Sequence, residues 1–61
     1  MQRAHVSVLI EHPNGQIEYR EWIGATIRGI RRAARRRYAE QFPGARVSFG
    51  TGYYVNSYGA H

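Results

Sequence analysis

"VSVLIEHPNGQIEYREWI", residues 6–23, decides how the chain folds, because it holds two strand patterns and the turn between them. Residues 4–12 alternate apolar and polar positions, and residues 16–23 read as a returning strand. Between them "HPNG" sets Pro13 at the second position of a turn, with Asn14-Gly15 where positive φ is wanted, which is a hairpin signal. The apolar pattern suggests the register. Pairing even positions of the first strand with odd positions of the second gathers Val6, Val8, Ile10, Ile17, Tyr19 and Ile23 on one face. A slip of one residue admits Glu18 and Arg20 to that face, so the expected sheet buries Ile17, Tyr19 and Ile23.

Outward from the hairpin, Thr26 is the natural N-cap of a helix over residues 27–41. Ile23, Ile27, Ile30, Ala34, Tyr38 and Gln41 recur at helical spacing and form one stripe, with Phe42 beside it. "QFPG" closes the helix: Pro43 disfavours helical geometry at Phe42, and Gly44 accepts a left-handed turn. "ARVSF", 45–49, predicts a third strand with Ala45, Val47 and Phe49 inward. "GTG" reads as a flexible turn, and "YYVNSY", 53–58, as a fourth strand with Tyr54, Asn56 and Tyr58 on its outer side. The expected fold is α+β: a two-layer β-β-α-β-β domain spanning 1–61, in which one Arg-rich helix packs on one face of an antiparallel sheet.

Composition bounds the function. Hydrophobic residues make up 43% of the chain, with five Tyr, two Phe and one Trp, too apolar for disorder. A chain of 61 residues buries only about 60% of its unfolded surface, so stability is marginal. The absence of cysteine excludes disulfides and thiolate metal sites and suits a reducing compartment. "VSVLI" is too short for a signal h-region or a membrane span, and the expectation is a cytoplasmic protein.

All nine basic side chains are arginine, and the net charge is +5. Residues 24–40 hold Arg28, Arg31, Arg32, Arg35, Arg36 and Arg37 against Glu40 alone, while the rest of the chain is balanced, with Arg3, Arg20 and Arg46 against Glu11, Glu18 and Glu21. The excess charge therefore lies in one helix. Arg28–Arg31 and Arg32–Arg35 are i,i+3 pairs, and Arg28–Arg32, Arg31–Arg35 and Arg32–Arg36 are i,i+4 pairs. Together these repulsions cost roughly 1–2.5 kcal/mol before screening by salt, a large share of the ~3–5 kcal/mol a domain this small is expected to have. Arg37 lies nearer the core edge and snorkels. Arg28 opposes the helix dipole, while the arginines at 35–37 are expected to suit its other end.

A solvated helix face ordinarily mixes signs, and this one does not. Guanidinium forks one helical turn apart suit successive phosphates, so the expected function is binding of DNA or RNA through backbone contacts of low sequence specificity, by Arg28, Arg31, Arg32, Arg35 and Arg36. The plain alternative is a solvated face that reflects an arginine-rich codon usage. A strand pair, an Arg/Ala helix and "PGARV" opening another strand are similar to the general look of short phage and plasmid proteins. That similarity implies a small accessory or inhibitor protein that binds another protein, and the charge itself offers the competing reading of an interaction module docking an acidic protein surface. The sheet's second face supplies a candidate interface at Leu9, Trp22, Tyr54 and Tyr58; the alternatives there are a homodimer, a covering by the chain's own tail, or a platform on which unpaired bases stack, and the glutamates of the hairpin count against the last.

Chemistry is not expected. His5 and His12 face opposite ways, and no histidine spacing or acidic cluster assembles a metal site. Ser7, Ser48 and Ser57 lack a nucleophile elbow, and "GTG" lacks the lysine of a phosphate loop. Glu11 and Glu18 can meet across the hairpin only as an exposed carboxylate pair, without the cleft that catalysis requires. The expectation is a protein that is not an enzyme, takes no cofactor and binds no membrane.

Overall fold

The computed structural model describes residues 2–56. Its elements in chain order are β1 (Gln2–Glu11), β2 (Ile17–Gly24), α1 (Ile27–Gln41) and β3 (Arg46–Asn56). The sheet order is β2-β1-β3, with both neighbours antiparallel to β1. β2 and β3 thus run in the same direction on either side of β1, and α1 crosses over the sheet between them. This is a split β-α-β arrangement in an α+β fold.

The turn sets the register, and not in the way the apolar pattern suggests. Gly15 N–H donates to the His12 carbonyl at 2.9 Å, and His12 N–H donates to the Gln16 carbonyl at 2.8 Å. Asn14 Oδ1 accepts from Gln16 N–H at 2.9 Å. Only Gly15 takes positive φ here, at 90°, so the loop is Pro13-Asn14-Gly15 and ends on a left-handed glycine. A two-residue turn at Asn14-Gly15 would need both residues left-handed. It would also need an N–H from residue 13 to close its hydrogen-bonded pair, which proline lacks. The three-residue loop pairs even positions with even: Val6 with Trp22, Val8 with Arg20, Ile10 with Glu18. The expected burial of Ile17, Tyr19 and Ile23 is therefore overturned; they lie on the open face, 58%, 66% and 54% exposed.

α1 follows from local signals. Thr26 Oγ1 accepts from Gly29 N–H at 3.0 Å, capping the helix where its first donors are free. At the other end Phe42 N–H reaches the Tyr38 carbonyl at 2.8 Å, and Gly44 turns the chain with φ 91°. Ile30, Ala34 and Tyr38 form the buried stripe. They pack on Ala4, Val6, Val8 and Ile10 of the central strand, each fully buried. Trp22 joins this side, donating from Nε1 to the Tyr38 hydroxyl at 2.9 Å, edge-on to its ring. Tyr38 in turn stacks on Phe42 at 5.9 Å.

Among the described residues no separate fourth strand follows "GTG". β3 runs on through it by a bulge: Val8 pairs with Phe49 and Val6 with Gly52, so Gly50 and Thr51 together oppose Ser7. The extra residue flips the faces beyond it. Tyr54 pairs with Ala4 on the helix side, where its hydroxyl accepts from Ile27 N–H at 3.2 Å. Tyr53 goes to the open side and stacks on His5 at 5.2 Å. Gly52 is needed beneath the helix, since a Cβ there would lie 3.0 Å from Ile27 Cδ1. Among the described residues, no helix is long and apolar enough to cross a membrane.

Candidate nucleic-acid interface

α1 packs its Ile30-Ala34-Tyr38 stripe on the sheet, which leaves the six arginines to the flanks and back of the helix, all exposed. They divide into three groups. On the β3 flank, Arg31 and Arg35 lie over the Phe49 ring, their guanidinium carbons 5.9 and 5.2 Å from its centroid. On the β2 flank, Arg37 lies over Trp22 at 5.6 Å, in keeping with a stem that covers the core edge. Arg28, Arg32 and Arg36 run along the back, four residues apart and therefore about 6 Å apart along the axis. Arg28, Arg31, Arg32, Arg35 and Arg36 line one shallow concavity of about 840 Å³, with Ala39 as its short-sided edge. The structure therefore brings together all five arginines singled out in the sequence, and sets Arg37 apart.

Nothing among the described residues neutralises this cluster. The ion pairs there are His5 with Glu21 at 3.9 Å, His12 with Glu18 at 2.8 Å, and Arg20 with Glu18; none includes an α1 arginine. The helix dipole does not relieve the charge either. The first turn has no acidic residue, and the last turn has no basic one, so the arginines at 35–37 stop short of the end they were expected to suit. Two aromatic rings provide what local order there is: Phe49 under Arg31 and Arg35, Trp22 under Arg37. Phe49 escaped the sequence reading because its contact with α1 is tertiary; only its inward position in β3 was legible.

The candidate interface on the sheet is redrawn. Leu9 does lie on the open face, paired between Tyr19 and Ser48. Trp22 does not, because the even-to-even register turns it beneath α1. Tyr54 does not, because the bulge turns it to the helix side. Tyr58 lies outside the described residues. In their place the open face presents Ile17, Tyr19, Ile23, Tyr53 and Val55. Ile17, Tyr19 and Ile23 are there through the hairpin register, against which Pro13 was the signal, and Tyr53 and Val55 through the bulge in β3.

The remaining polar residues make a small edge cluster. His12 Nε2 and Glu18 Oε2 are 2.8 Å apart, and Arg20 donates to the other carboxylate oxygen of Glu18. The His12 hydrogen bond first, and the Arg20 one second, hold the Glu18 carboxyl below its ordinary value of 4.5. Glu11 and Glu18 are not the cross-hairpin pair expected, since Glu11 pairs with Ile17 and Glu18 with Ile10, on opposite faces. Among the described residues no three His, Cys, Asp or Glu side chains gather as a metal site. No family model, curated protein or solved structure matches the chain.

Proposed function

We propose that the protein binds the phosphate backbone of nucleic acid through the outer surface of α1. One observation carries this reading: five guanidinium groups line a single concavity with no carboxylate partner among the described residues. Their mutual repulsion destabilises the free domain, and a polyanion removes that repulsion on binding. Each fork suits a phosphate bidentately, and the row Arg28-Arg32-Arg36 presents one fork per helical turn. Arg31 and Arg35, resting on Phe49, lose less freedom on binding than unsupported side chains. A row of backbone-directed cations reads little sequence, so affinity is expected to be nearly independent of base order. The reading is of a binding domain and assigns no catalytic step.

Fluorescence anisotropy with a labelled duplex, its scrambled version and a single-stranded RNA tests it. If all five arginines engage phosphates on duplex DNA, log affinity should fall against log salt with a slope of about −4.5, or roughly 500-fold between about 50 and 200 mM. Replacing the arginines one by one with glutamine should reduce that slope by about 0.9 each. Salt-independent affinity, or no binding at low salt, overturns the proposal. Absence of binding to both nucleic acids favours an acidic protein surface as the partner instead, where one or two dominant side chains carry the affinity.

A further inference from the structure

The open face of the sheet has an order of its own, independent of α1. Its side chains fall in rows across the strands, centred on Ser7. Ile23, His5 and Tyr53 form the row on one side of Ser7, and Tyr19, Leu9 and Ser48 the row on the other. Beyond these rows, Arg3 stands at one end of β1 and Glu11 at the other. The charges on this face balance, Arg3 and Arg46 against Glu11 and Glu21, in contrast to the cationic helix side. Such a face matches itself when turned end over end.

We propose that a second copy of this chain covers the open face, sheet against sheet, with strands antiparallel and a two-fold axis passing near Ser7. In that arrangement the Ile23 row of one chain lies on the Tyr19 row of the other on both sides of the axis, with Ile23 against Tyr19, His5 against Leu9 and Tyr53 against Ser48. Arg3 of each chain then meets Glu11 of its partner, twice. The other two-fold, with its axis along the strands, sets Arg3 on Arg3 and Glu11 on Glu11 over the central strand, where like charges are most desolvated. The antiparallel arrangement leaves one like-charge contact, Glu21 with its own copy. Glu21 sits on edge strand β2 with its side chain 54% exposed, and so can turn to solvent.

The area agrees. Three strands spaced about 4.8 Å apart and some nine residues long give a face of roughly 30 × 15 Å before side-chain relief is counted, so the two partners together bury on the order of 1,000 Å². That is the lower end for a specific dimer, and the expected dissociation constant is micromolar. The dimer carries its two arginine helices on opposite outer faces, free to act.

Sedimentation equilibrium of the nuclease-treated full chain, from about 1 μM to about 1 mM, tests this with no nucleic acid to bridge the copies. A monomer–dimer equilibrium is expected, and Arg3→Glu and Glu11→Arg should each weaken it about tenfold, because each turns two attractive contacts into repulsive ones. Mixing the two variants in equal amounts should restore dimerisation, since both cross-contacts in the mixed dimer again join opposite charges. Both positions are exposed, so circular dichroism of the variants should match that of the parent. A strict monomer at the highest concentration overturns the proposal, as does a dimer that neither variant weakens or that mixing fails to restore.

Discussion

The two faces of the sheet are made from alternate residues of the same strands, yet they are different materials. On the helix side Ala4, Val6, Val8 and Ile10 are sealed beneath α1. On the open side their neighbours His5, Ser7 and Leu9 are only half-buried, and Ile17, Tyr19 and Ile23 of β2 stand more than half exposed. Hydrophobicity alone does not separate them, since β2 places more apolar side chains on its open face than under the helix. What separates them is which face the turn directs toward α1. Stability therefore lives on the even residues of β1 and β2, and the odd residues of those strands are left uncovered.

The sharpest way to break that comparison is at Trp22 and Ile23, consecutive residues on opposite faces. Trp22→Ala removes an indole that packs on Tyr38 and donates to its hydroxyl, and is expected to cost about 3 kcal/mol or more. Ile23→Ala removes a side chain 54% exposed and should cost less than about 1 kcal/mol. Urea unfolding in dilute solution compares the two midpoints. The reverse order would mean that β2 pairs in the register its apolar pattern favours.

How much of this was legible follows from the range of each signal. α1 announced itself through local chemistry: the Thr26 cap, the Ile30-Ala34-Tyr38 stripe, and Pro43-Gly44 at its end all act within a few residues. The hairpin turn was equally local. Its register is where two signals conflict, and the backbone signal overrides the apolar one. Ile17, Tyr19 and Ile23 outnumber Trp22, but Pro13 has no N–H for the pair that a two-residue turn requires, and backbone chemistry admits no compromise there. "GTG" misled in another way. Two glycines in a row of three look like a strand's end, yet β1 is long enough to hold β3 through them, and Gly52 is there to let Ile27 approach. The charge cluster was legible because it depends on helical spacing alone. Phe49 beneath Arg31 and Arg35 was not, because only the tertiary fold brings β3 beside that flank.

A second comparison within the helix, between its packed stripe and its charged back, yields a change of opposite sign. Arg32 has Arg28 and Arg36 four residues away on either side and Arg35 three residues on. Arg32→Glu turns these repulsions into attractions and is expected to stabilise the domain by about 1 kcal/mol, raising the melting temperature by about 5 °C, less in high salt. The same substitution should weaken duplex binding and flatten its salt dependence by more than the loss of one phosphate contact. Calorimetry and the anisotropy titration, run on one preparation, read both effects. A stability gain with unchanged binding would return α1 to the status of a solvated face.

The smallest effect lies at the edge of the helix side, where Glu18 shares the face of the core but escapes the cover of α1. Hydrogen bonds from His12 and then Arg20 favour its ionised form in the folded chain, and unfolding dissolves both. A carboxyl held below its ordinary value of 4.5 in the fold stabilises the native state above that pH and ceases to do so as the pH falls through its lowered value. Glu18→Gln keeps a hydrogen-bonding side chain but cannot ionise, so the variant's melting temperature should decline less steeply below about pH 4.5 than the parent's. Parallel melting curves at neutral and acidic pH measure the difference. Equal slopes would show that the cluster around Glu18 does not survive in solution, and that the even face ends where α1 stops covering it.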